Sequence, residues 1–230
     1  MIKKLFIIAL MCNLSTAGAA ICTTPNAIKI PANTPFYLGP NAYNIVLPPP
    51  QTPPSYNPSA YGLAILAARD TWNVTNAAHR IGDWNLKVSS SDCPTGLPFQ
   101  IGAFGFAGST CASVIYNPYV NSNTLAFVDY NQWCYGCGTM SVSVNLNFAW
   151  STNPLPHQYD VQSVMTHEFG HVLGLMHQDG GACNPQNAIV SKTCASDINR
   201  ETMGAETYDG ETCMRDLTAN DISSANFLYP

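Results

Sequence analysis

The chain has 230 residues, 46% of them hydrophobic, enough for one sizeable core or two small lobes packed around a cleft. Charged residues make up only 10%, against roughly 25% in ordinary soluble domains, so solubility rests on Asn, Ser, Thr, Gln and backbone groups, as suits an extracellular life. The formal charge is −5, and loss of Lys3 and Lys4 with a leader takes it to −7; a nucleic-acid binder would carry a basic footprint instead.

The chain opens with Lys3 and Lys4, a short apolar run from Leu5 to Met11, and small residues ending in Ala17-Gly18-Ala19. This pattern predicts a secretory signal peptide over 1–19. The apolar run is too short to span a bilayer, and no later stretch reaches about 18 uninterrupted apolar residues. A secreted protein, extracellular or periplasmic, without a membrane anchor is the expectation. Met11 beside Cys12 does not suit a lipoprotein cleavage box.

Loss of Cys12 leaves Cys22, Cys93, Cys111, Cys134, Cys137, Cys183, Cys194 and Cys213. An even set in an oxidising compartment favours disulfides, with 105 ways to form four. The Cys134–Cys137 pair is expected to be a structural disulfide rather than a redox motif, because no βαβ pattern or second such pair accompanies it. Cys183 and Cys194 bracket a ten-residue loop, and a bridge between them is expected.

Residues 20–58 hold ten of the seventeen prolines and read as an extended lead-in, with the main domain over 59–230. From Ser59, Leu63, Leu66, Ala67, Asp70 and Trp72 fall at spacings of an amphipathic helix. Strand-like runs follow around Phe99–Phe106, Ala112–Tyr116, Leu125–Tyr130 and Ser141–Phe148, separated by Gly, Asn and Ser clusters. In the last, Val142, Val144, Leu146 and Phe148 alternate with polar residues, marking a strand with one buried face. Asp160 then caps a helix in which Val161, Val164, Met165, Phe169 and Val172 leave only a narrow polar sector near Gln162, Ser163 and Thr166. A helix so apolar is buried. Helix, sheet, helix indicates an α+β domain.

His167 and His171 stand four apart on this helix, so both imidazoles project from one face and can reach a common metal ion. Glu168 is close enough to hold a water there without being a ligand. Catalytic zinc takes three protein ligands and keeps one position open. Gly174 can take the left-handed conformation that ends a helix, turning the chain so that His177 returns as the third ligand. Neither His79 nor His157 is assigned a role.

The signature His167-Glu168-x-x-His171-x-x-Gly174-x-x-His177 resembles that of the metzincin superfamily and, within it, the matrixins, the matrix metalloproteinases and their microbial relatives. YDVQSVMTHEFGHVLGLMH and the preceding VNLNFAW are also similar to matrixin sequence, as is Thr124–Phe127 to their edge strand along the cleft. The resemblance implies that Met203 is the methionine of the turn beneath the metal, with Met214 the other nearby methionine, and that the run from Leu217 to Pro230 holds the closing helix. It makes Tyr208 a possible cleft residue. Three features depart from the pattern: 25 residues separate His177 from Met203, no proline follows Met203, and cysteines are abundant.

The fold so implied is a metzincin-like α+β catalytic domain: a twisted, mostly parallel sheet with an antiparallel edge strand, an active-site helix and a C-terminal helix. The function so implied is a secreted zinc-dependent endopeptidase. It would hydrolyse internal peptide bonds of an extended polypeptide by a metal-activated water, with Glu168 as general base and one catalytic Zn2+ on His167, His171 and His177. Matrixins also commonly hold structural Ca2+, although no oxygen-ligand loop stands out here. Two other classes remain open, a zinc hydrolase of a non-protein amide and a non-catalytic zinc-containing binding protein; the intact Glu168 argues against the second. Many matrixins are kept latent by a cysteine in their propeptide, but Cys22 lacks the flanking arginine and aspartate. Parity also requires Cys22 for a disulfide, so the lead-in is expected to lie along the domain, tethered through it.

Overall fold

The computed structural model describes residues 21–23, 29–38, 60–86, 99–103, 124–131, 139–145, 148–179, 182–183, 194 and 200–230. The signal peptide expected over 1–19, the strand expected at 112–116 and the Cys134–Cys137 pair lie outside these residues.

Five strands make the main sheet: β1 (Thr34–Leu38), β2 (Ile81–Leu86), β3 (Phe99–Ala103), β4 (Ala126–Asn131) and β5 (Thr139–Val144), in the order β2-β1-β3-β5-β4. All neighbours run parallel except β4, which pairs antiparallel with β5 and ends the sheet. The domain is thus α+β with a mostly parallel sheet and an antiparallel edge strand. Along β5, Val142 and Val144 are buried and the strand ends at Val144. Asn145, also buried, receives the Trp150 indole N–H on its carbonyl at 2.9 Å and donates its side-chain amide to Thr124 at 3.0 Å. That exchange fixes the entry to β4.

β1 falls within the segment read as a lead-in, yet it lies between β2 and β3. The sheet therefore begins at Thr34 rather than after residue 59. Pro35 disguised the strand: it lacks a ladder donor, and it sits where the register with β2 shifts, between Thr34 and Phe36, the kind of irregularity that tolerates proline inside a sheet.

Helix α1 (Ala60–Thr71) is rich in alanine, the strongest helix former. Its buried face is Ala64, Ile65 and Ala68, continued by Trp72, while Leu63 is 55% exposed. The face is rotated from the one expected on Leu63, Leu66 and Ala67, because short side chains let α1 lie close against helix α2 (Val161–Val172). The Trp72 indole N–H donates to the Thr166 carbonyl of α2 at 3.0 Å.

At the start of α2, Asp160 accepts from the Ser163 amide at 2.8 Å, as an N-cap should. The Arg215 guanidinium grips both oxygens of the same carboxylate, at 2.6 and 2.8 Å. The expected polar sector is itself covered apart from Gln162: Ser163 and Thr166 are buried, and the Thr166 hydroxyl bonds back to the Gln162 carbonyl at 2.8 Å. Short strand pairs flank the helix, β6 (Trp150–Ser151) with β7 (Tyr159–Asp160) and β8 (Gln178–Asp179) with β9 (Ala182–Cys183). Helix α3 (Ala219–Leu228) closes the chain with a capping box of Thr218 and Asp221. Beyond it, the Tyr229 hydroxyl donates to the Leu173 carbonyl at 3.1 Å and accepts from the Ile30 amide at 3.3 Å, joining the segment before β1 and the residue after α3 to the end of α2.

Two disulfide expectations have outcomes. Cys22 is disulfide-bonded and buried, as parity required. Cys194, however, pairs with Cys213 and not with Cys183. Glu211 draws the two segments together: one carboxylate oxygen accepts from the Cys194 amide at 2.8 Å and the other from Arg200 at 2.9 Å.

Candidate metal centre and cleft

α2 carries the site, and its C-terminus aims it. Gly174, at φ 96°, takes the left-handed conformation after the last helical turn. Its amide donates to the His171 carbonyl at 2.8 Å and that of Leu175 to the Gly170 carbonyl at 2.9 Å, the two bonds of a Schellman close. The chain reverses, and His177 comes back against His167 and His171, with ring centroids 4.7–5.1 Å apart.

Nδ1 of His167 lies 2.8 Å from the Thr202 carbonyl and Nδ1 of His171 2.9 Å from the Leu175 carbonyl. A carbonyl can only accept, so each Nδ1 carries the proton and each Nε2 keeps its lone pair for a metal. Nε2 of His171 is 3.0 Å from Nε2 of His177, close to the roughly 3.3 Å that tetrahedral zinc with bonds near 2.05 Å sets between two nitrogens. Ligand atoms of all three histidines lie within 4.8 Å of one another. Burial, then the neighbouring imidazoles, hold His167 well below the usual histidine range and bring His171 down to about 4. Both imidazoles are therefore neutral at physiological pH, the form in which a ring nitrogen can bind a metal. The donor set fits zinc.

Glu168 is buried, and its Oε2 has no hydrogen-bond partner among the described residues. Burial pushes its carboxyl up to about 8. An unpartnered buried carboxylate oxygen is costly, and here it lines the cleft beside the three imidazoles, where a water or substrate proton would satisfy it.

Met203 is wholly buried in a tight turn closed by the Gly204 amide on the Glu201 carbonyl at 3.0 Å. Its sulfur packs against Gly170, between His167 and His171 on α2, so closely that a Cβ at 170 would collide with it and lie 2.9 Å from the Trp72 ring. The turn hangs on Asp221 of α3, which accepts the amides of Thr202 at 3.0 Å and Met203 at 3.2 Å. Asp221 thus positions Thr202, whose carbonyl holds His167.

The histidines open into a cleft of about 980 Å3, shared by Thr124–Val128 along β4 and by Gly204–Tyr208. Tyr208 lines it, with its hydroxyl donated to Glu206 at 2.8 Å and its ring beneath the Arg200 guanidinium, 5.2 Å from the centroid. Sequence reading missed Tyr159, Val164, Glu206 and Met214 as lining residues; for Val164 the signal was its position one turn before His167. His79 and His157 do not line this cleft. A second grouping, Cys194, Glu211 and Cys213, holds no metal because its sulfurs are joined to each other.

No curated protein matches the chain. The sequence profile of the family described as matrixin matches residues 53–203, from the end of the lead-in through α1, strands β2 to β5 and the histidine helix to Met203, leaving β1 outside the match. With that match over more than half its length, the chain belongs to the matrixins, a family of zinc metalloproteases.

Proposed function

We propose that this protein is a secreted zinc endopeptidase in which His167, His171 and His177 hold the metal and Glu168 moves the protons. The observation that carries the reading is the convergence of three imidazoles, each Nδ1 of the helix pair fixed by a backbone carbonyl, beside a buried carboxylate with an unpartnered oxygen. When bound, zinc supplies Lewis acidity, lowering the pKa of a water toward about 7 and polarising a carbonyl. Glu168, whose ionised form the charge of bound zinc favours, accepts the proton of the attacking water and passes it to the leaving amine, with no covalent intermediate on the protein. β4, the edge strand beside the site, suits an extended peptide held by β-augmentation. Secretion is supported by the leader-like start and by the disulfides at Cys22 and Cys194–Cys213.

The test is digestion of unfolded casein by the purified protein. Cleavage at internal bonds that a chelator stops and added zinc restores is the expected result. Intact casein under all conditions, with zinc bound, would remove the endopeptidase reading.

A further inference from the structure

Resting on the reading of the cleft as a peptide site, we infer that Glu206 selects substrates bearing a lysine or arginine beside the scissile bond. The cleft is one-sided in charge. Among the described residues lining it there is no lysine or arginine, and its carboxylates are Glu168 and Glu206. Glu168 is committed to the water and the leaving amine. Glu206 is half-buried and stands three residues after Met203, on the segment that borders the metal centre.

Its surroundings orient the carboxylate without neutralising it. The Tyr208 hydroxyl donates to Glu206 Oε2 at 2.8 Å, a neutral donor that fixes direction but leaves the charge in place, and Oε1 accepts no hydrogen bond from the described residues. Arg200 lies against Tyr208, yet its charge is taken by Glu211 at 2.9 Å, and both members of that pair are little exposed, at 6% and 15%. A carboxylate held in a partly enclosed cleft, with no cation paired to it among the described residues, draws a guest cation more strongly than one in open water. A guanidinium or ammonium on the substrate completes the set of hydrogen bonds that the phenol begins. Arg200 and Glu211, braced by the Cys194–Cys213 bridge, act as positioning residues for Tyr208 and hence for Glu206.

The experiment uses the zinc-loaded protein and pairs of quenched fluorogenic peptides that differ only in arginine against norleucine at each position flanking the cleaved bond. The wild type should favour arginine at one position. Glu206→Gln should lower that ratio of kcat/KM values about tenfold, less than the loss at a fully desolvated charge pair because Glu206 is only half-buried, and Glu206→Lys should invert it in favour of a glutamate peptide. Tyr208→Phe, which keeps the charge but frees the carboxylate, should reduce the ratio less. An arginine ratio unchanged in Glu206→Gln would overturn the assignment. Peptide binding to Glu168→Ala protein, read by fluorescence anisotropy, separates specificity from hydrolysis. Tighter binding of the arginine peptide that vanishes in Glu168→Ala/Glu206→Gln upholds the selectivity even if the wild type cleaves nothing, which would sink only the peptidase reading. Equal binding of both peptides overturns the selectivity whether or not they are cleaved.

Discussion

Gly170 shows how much a single hydrogen matters at this site. Met203 and Trp72 both pack into the space a side chain would need, so Gly170→Ala forces the buried Met203 side chain and Trp72 ring to shift, or α2 to move away from them. Overpacking of this kind costs about 1–3 kcal/mol, and because Thr202 carries the carbonyl that holds His167, zinc occupancy should fall as well; thermal unfolding with zinc analysis checks both. Unaltered stability would show that the turn is softer than its packing implies. The histidines give a second residue-scale prediction. Burial holds His171 down to about 4 and His167 well below 6.5, whereas in the unfolded chain both protonate near 6.5. The unfolded state then binds more protons between these values, so metal-stripped protein should lose stability as pH falls from 6.5 toward about 4. Above that window this contribution is fully present. Urea unfolding at stepped pH reads the effect, and a stability independent of pH across the window would contradict it.

Among the elements, α3 supports the active-site helix through one carboxylate. Asp221 accepts the amides of Thr202 and Met203, and also the amide and hydroxyl of Thr218 at 2.9 and 2.8 Å. Asp221→Ala removes the reciprocal half of the capping box and strands two buried donors, which should destabilise the fold by about 2–4 kcal/mol in urea unfolding; a change below about 0.5 kcal/mol, ordinary for a surface site, would show that the turn stands without α3. The α2 helix was legible in sequence because everything that specifies it is local: the Asp160 cap, the spacing of His167 and His171, and the glycine that ends it. β1 and β2 were not. Pro35 interrupts one, and Gly82, Asp83 and Asn85 break the alternation of the other. Their pairing joins residues more than forty positions apart, which no local pattern announces. The bridge from Cys194 to Cys213 was hidden for the same reason, since a buried Arg200–Glu211 pair rather than loop length brings the cysteines together. That bridge ties the unfolded chain across a sequence separation of 19, and its removal should cost about 3 kcal/mol in the loop-entropy model, read by urea unfolding of the Cys194→Ala/Cys213→Ala variant.

Among the described residues, the loop beside the metal centre is held from two sides, by the segment at Cys22–Thr23 and by α3. The Met176 amide donates to the Cys22 carbonyl at 3.1 Å, Thr23 bridges to Leu175, and the Cys22 amide donates to the Ser224 hydroxyl of α3 at 3.1 Å. The loop leading to His177 is thereby clamped between the N-terminal segment and α3. With Cys22 in a disulfide, no thiol is available there to block the zinc, and a thiol-directed mercurial should leave activity unchanged; strong activation with release of a Cys22 thiol would reverse that assignment. The most direct test of the site as a whole is Glu168→Ala, assayed for zinc by metal analysis and for turnover on a quenched peptide. The variant should keep one zinc per chain and lose at least about a hundredfold in kcat, because the glutamate handles protons and not metal. Proteolysis near the wild-type rate with zinc in place would contradict the mechanism at its centre.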